Sequence, residues 1–99
     1  MASKKIVWTV KANVERREIL EYWIKRNKSS TYSIKLNKLF IGTIKQLSRN
    51  PMIGRKTDFE NVRVKLVRNY LIFYEFDSEM LKVLSIWDGK RNEDNLIIK

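Results

Sequence analysis

The stretch Val62-Arg63-Val64-Lys65-Leu66-Val67-Arg68-Asn69-Tyr70-Leu71-Ile72-Phe73-Tyr74-Glu75-Phe76 decides the fold. Val62, Val64 and Leu66 alternate with Arg63 and Lys65, the period of two that marks a strand with one buried and one basic face. Arg68-Asn69 is a tight-turn signal, and Tyr70 to Phe76 is rich in aromatic and β-branched residues, so it reads as a second strand. Asp77-Ser78-Glu79 is a further turn, Leu81 to Trp87 a third strand, and Asp88-Gly89 closes it. Three strands joined by such short turns predict an antiparallel meander.

Upstream, the period changes to helical. Tyr32, Leu36, Leu39, Phe40, Thr43, Ile44 and Leu47 line one face for about four turns. Pro51 ends that helix near Asn50, because it disfavours helical geometry in the residue before it. A shorter stripe, Ile19, Leu20, Trp23 and Ile24, predicts a helix from Ala12 to about Arg26, with Glu15, Arg16, Arg17, Glu18 and Lys25 mostly on its outer face. Asn27-Lys28-Ser29-Ser30 is the turn between the helices and supplies an N-cap, so the pair forms an antiparallel hairpin. Lys5 to Val10 reads as a first strand able to join the sheet edge, and Pro51 to Asn61 as a loop. The predicted order is β-α-α-β-β-β, an α+β fold with the helix hairpin packed on one face of an antiparallel sheet.

Composition narrows the function. The 99 residues allow a single domain spanning 1–99. With 43% hydrophobic residues, and with three Trp, four Tyr and four Phe, the chain can bury a core, which argues against disorder. Twenty-one Lys+Arg against 11 Asp+Glu leave a net charge of +10, which favours an anionic partner. The absence of Cys and His removes disulfides, thiolate zinc sites, thiol nucleophiles and the Ser-His-Asp hydrolases. The N-terminal segment is too polar for a signal peptide and no stretch reaches membrane-spanning length, so a cytoplasmic protein without a membrane partner is expected.

Four local patterns, in order, carry a family likeness. They are the strand and helix hairpin from Ile6 to Leu47, the helix end Leu47-Ser48-Arg49-Asn50-Pro51-Met52-Ile53-Gly54, the basic strand followed by Asn69-Tyr70-Leu71-Ile72-Phe73-Tyr74, and the closing Val83-Leu84-Ser85-Ile86-Trp87-Asp88-Gly89-Lys90-Arg91. Respectively, the last three resemble "L-x-x-x-P-x-x-G", a basic strand with "Y-x-x-x-Y", and a "G-K/R-R" end of the RelE/ParE toxins. The resemblance implies the toxin of a type II toxin–antitoxin (plasmid stabilisation) module, causing growth arrest unless neutralised by a cognate antitoxin. RelE-like relatives cut messenger RNA on the ribosome, and ParE-like relatives poison DNA gyrase. Neither role calls for a metal or other cofactor.

The residues bear on that choice. A metal-free ribonuclease needs a base for the ribose hydroxyl, cations for the phosphorane and an acid for the leaving oxygen. Arg63 and Lys65 share a strand face, and Arg91 stands where the family places a phosphate-binding arginine, so these three are the candidate phosphate- or target-binding residues. Arginine clamps phosphate well but is a poor base. Leu71 and Ile97 occupy positions where the nuclease pattern has Arg and an aromatic acid. Tyr70, Tyr74, Glu75 or Asp88 could supply the missing acid, and the catalytic residues stay unassigned. The departures favour a ParE-like gyrase poison. The alternatives are a RelE-like ribosome-dependent endoribonuclease and a non-toxic nucleic-acid-binding module, while alternating strand cations also occur as a merely solvated sheet face. A sheet that helices cover on one face only should leave an apolar groove with a basic rim, suited to an acidic antitoxin segment that folds as it binds.

Overall fold

The computed structural model describes residues 3–89, so Lys90, Arg91 and Ile97 lie outside the described residues. The elements run β1 (Lys5–Trp8), α1 (Val10–Asn27), α2 (Thr31–Arg49), a 3-10 turn (Pro51–Ile53), β2 (Arg55–Lys56), β3 (Val62–Val67), β4 (Tyr70–Phe76) and β5 (Met80–Asp88). The five strands form one sheet in the order β1-β5-β4-β3-β2. The meander β3-β4-β5 is antiparallel as expected, with Arg63 opposite Tyr74 and Tyr70 opposite Asp88. β1 does join the edge, but parallel to β5, which makes the sheet mixed. The region read as a loop after Pro51 holds both the 3-10 turn and the two-residue edge strand β2, antiparallel to β3.

Helix α2 buries Leu36, Phe40, Ile44 and Leu47 against Val67, Tyr70, Ile72, Tyr74, Leu81, Val83 and Ile86 of the sheet. Ile19, Leu20 and Trp23 of α1 pack on the same core, whereas Ile24, expected in that stripe, is exposed. Val10 is the first residue of α1 rather than the last of β1, because Thr9 accepts the Ala12 N–H at 3.1 Å and caps the helix there. In the second turn, Ser29 rather than Ser30 supplies the side-chain bond, its Oγ accepting the Thr31 N–H. Arg68 takes the left-handed conformation, φ 57°, at the β3–β4 turn.

Residues opposite one another on neighbouring strands share a face. Arg63 and Lys65, opposite Tyr74 and Ile72, therefore lie on the helix side of the sheet. The apolar face of β3 is the other one: Val62 and Val64 cluster there with Phe73, Leu84 and Trp87. Leu66, expected to be buried with them, is 58% exposed, while Val67 enters the helix-side core. Among the described residues, no helix is long and apolar enough to cross a membrane.

Candidate functional site

Pro51 stops α2 and opens the 3-10 turn, which brings Gly54 over the ring of Tyr74. Tyr74 is fully buried, and its hydroxyl donates to the Pro51 carbonyl at 2.6 Å while accepting the Gly54 N–H at 3.0 Å. A Cβ at position 54 would come within 2.3 Å of that oxygen, so the close approach requires glycine. Arg63 reaches the same turn from β3. Its Nη1 donates to the Gly54 carbonyl at 2.6 Å and to the Met52 carbonyl at 3.4 Å, and its Nη2 lies 3.5 Å from the Met52 sulfur. Thus the 3-10 turn is tied to the sheet by one tyrosine and one arginine.

The candidate cations take different positions. Arg63 spends donors on backbone carbonyls. Lys65 is half-buried two residues along the same face, and among the described residues it forms no ion pair. Arg91 lies outside the described residues, so the expected three-residue site is seen only in its β3 pair.

The acid candidates are poorly matched to that pair. Burial pushes the Tyr74 hydroxyl up from its ordinary value, opposed by the Gly54 N–H and the nearby Arg63 charge. Burial likewise raises Tyr70, whose oxygen accepts the Trp23 indole N–H at 2.8 Å and which also feels Asp88. Both phenols are therefore weaker acids than a free tyrosine. Glu75 stands 4.0 Å from the Lys82 ammonium. Asp88 pairs with Tyr70, four residues along β4 from the Arg63 partner Tyr74, or about 13 Å at strand spacing. Among the described residues, no group of His, Cys, Asp and Glu could hold a metal ion.

Two grooves flank this framework. One, of about 440 Å³, lies beside the 3-10 turn and is lined by Met52, Lys56, Phe59, Val62, Arg63 and Phe76 among others. Met52 (66%) and Phe59 (48%) are exposed there, with Ile53 exposed nearby and the exposed cations Arg55 and Lys56 on β2. This is an apolar surface with basic neighbours, Glu60 also lining it. The other groove, of about 540 Å³, runs between α1 and the Tyr70–Asp88 end of the sheet, lined by Glu15, Glu18, Tyr22, Trp23, Arg26 and Asp88 among others.

Sequence reasoning missed two contributions. The helical pattern places Glu15 on the outer face of α1, but its carboxylate accepts the Ser85 hydroxyl at 2.8 Å and the Ile86 N–H at 3.2 Å, fastening the helix to β5. The Pro51–Gly54–Tyr74–Arg63 knot was also missed. The spacing of Pro51, Gly54 and Tyr74 was visible in the sequence, but their mutual contact was not.

The comparisons with known proteins agree with this architecture. A chain of the chromosomal ParDE toxin–antitoxin system from P. aeruginosa has the same fold, with a TM-score of 0.76 at 16% identity over 89% of this chain and 98% of that one. No curated protein matches. The family model for the ParE toxin of the type II toxin–antitoxin system parDE matches residues 6–93, a span that starts in β1 and runs beyond the end of β5. The chain thus belongs to the ParE toxin family of type II toxin–antitoxin systems.

Proposed function

We propose that residues 1–99 form one toxin domain that acts in the cytoplasm as a gyrase poison, silenced by a cognate acidic antitoxin, and does not cut messenger RNA. The observation that carries the target reading is the use made of Arg63. Its guanidinium is bonded to the Gly54 and Met52 carbonyls. The tyrosine opposite it is buried with a raised pKa. Among the described residues that neighbourhood offers binding charge but no poised acid–base couple, which supports a toxin that works by docking.

The antitoxin reading rests on the groove beside the 3-10 turn. Met52 and Phe59 offer apolar anchors, and Lys56, with Arg55 beside it on β2, offers charge complementary to an acidic segment. Apolar anchors supply most of the affinity in such interfaces, and rim charges chiefly speed encounter.

The test is expression without the antitoxin, followed by a gyrase supercoiling assay with purified toxin and by mapping of transcript ends after induction. Inhibited supercoiling with accumulated cleaved DNA and unchanged transcript ends supports the reading. Abundant new cuts within translated codons, with normal supercoiling, would replace it with the endoribonuclease.

A further inference from the structure

Helix α2 carries four cations, Lys35, Lys38, Lys45 and Arg49, and no carboxylate along its 19 residues. At 100° per residue these four and Gly42 fall within an arc of about 80° and span about 21 Å of helix. All five are exposed, and they lie opposite the face that buries Leu36, Phe40, Ile44 and Leu47. None of the four cations forms an ion pair among the described residues. The ridge is therefore of one sign.

Gly42 sits at the middle of this ridge. Glycine inside a helix lowers its stability, and among the described residues nothing lies within 4 Å of where a Cβ would stand, so no contact they make calls for glycine there. What it gives the surface is low relief, which lets an outside group approach the helix between Lys38 and Lys45.

We infer that the outer ridge of α2, Lys35–Lys38–Gly42–Lys45–Arg49, is a docking site for the phosphodiester backbone of duplex DNA. The choice follows from charge complementarity without apolar anchors. An acidic protein segment would need buried apolar contacts for affinity, and a lipid surface would need an apolar face to insert. The arc itself holds no apolar side chain; the exposed Ile34 and Leu39 stand outside it, one at each edge. A phosphate backbone needs only a line of cations, because displaced counterions supply the driving force. Such contacts are sequence-independent and individually weak, and they would hold the toxin on DNA whatever protein it also engages. The inference stands apart from the gyrase reading, since its test contains no gyrase.

The experiment measures fluorescence anisotropy of a labelled 20-base-pair duplex titrated with the full chain between 50 and 200 mM KCl. Four phosphate contacts predict a slope of log affinity against log salt of about −3.6, hence a loss of about 150-fold across that range. Gly42→Glu places a carboxylate three to four residues from Lys38 and Lys45 without steric conflict. It should weaken duplex binding at least about tenfold at 50 mM KCl and flatten the slope, while thermal stability holds or rises because glycine has left the helix. Gly42→Ala should bind like the parent, and Lys5→Gln on β1, which changes net charge by the same one unit, should lose about threefold at most. Parent-like binding by Gly42→Glu would overturn the assignment, as would an equal loss in Lys5→Gln. Release of Gly42→Glu from phosphatidylserine vesicles, with duplex binding intact, would overturn it in favour of a membrane.

Discussion

Replacing Tyr74 with Phe removes one oxygen atom and nothing else, and the structure says what that atom does. It donates to the Pro51 carbonyl at 2.6 Å and accepts the Gly54 N–H at 3.0 Å, so two hydrogen bonds join the 3-10 turn to the sheet. Each is worth about 1 kcal/mol net, and a buried N–H left without an acceptor costs about 1–3 kcal/mol. The Gly54 bond is buried, so its donor has no ready access to water, whereas the Pro51 carbonyl is only partly buried. The expected loss is about 2–3 kcal/mol, close to 10–20 °C in Tm for a domain of this size. Urea unfolding followed by tryptophan fluorescence would measure the free energy, and a thermal scan the Tm. The slope against denaturant should stay constant, because the surface exposed on unfolding is unchanged. A loss under about 0.5 kcal/mol would refute the reasoning. It would mean that the turn is held by Arg63 and the packing of Gly54 on the ring, with the hydroxyl incidental.

Other outcomes follow from the same geometry. Arg63→Ala should lower stability by about 1–2 kcal/mol because the Gly54 carbonyl loses a charge-assisted bond, whereas Lys65→Ala should stay within about 0.5 kcal/mol; chemical denaturation of both variants checks this. Tyr70 and Tyr74 both have raised pKa values, so their contribution to stability is complete below the ordinary tyrosine value near 10 and is lost as pH rises through the folded-state values. Denaturation midpoints should therefore fall in alkaline solution, and less steeply in Tyr74→Phe. Toxin–antitoxin association should slow steeply with added salt while dissociation changes little, and stopped-flow kinetics over a salt series separates the two; a dissociation rate carrying most of the salt dependence would point to exposed ion pairs in place of an apolar groove.

The parts of the fold legible in the sequence are those where one strong period meets a clear stop. α2 shows an apolar stripe, of which only Leu39 turns out exposed, and ends before Pro51, so its core face and end could be read directly. The meander shows alternation between tight turns, and its strands fall within a residue of where the pattern put them. α1 was harder, since only Ala12 is fully buried and Tyr22 and Ile24 face solvent, which blurs the stripe. Its first residue, Val10, looks like strand because β-branched residues favour strands, but the Thr9 cap decides otherwise. The parallel pairing of β1 could not be read at all, because strand direction depends on how the hairpin returns the chain across the sheet. For the same reason the side on which Arg63 and Lys65 emerge was hidden: alternation separates two faces without saying which one the helices cover.

The emergence of Arg63 on the helix side gives the family signatures a structural role. Pro51 and Gly54 of one motif, Tyr74 of another and Arg63 of the basic strand meet in one hydrogen-bonded knot. Tyr70, the other tyrosine of its motif, is likewise occupied, holding α1 through Trp23. These residues are needed wherever a helix hairpin must be closed over a short meander by a turn too tight for a side chain at position 54. They would therefore recur among toxins with different targets, because the demand they meet is set by the fold. Target choice must be carried by side chains that this framework leaves unused. On the described part of the chain those include Lys65 and the exposed apolar residue Phe59. Variants at those positions should alter toxicity or neutralisation without moving the unfolding midpoint, whereas variants in the knot should lose both together.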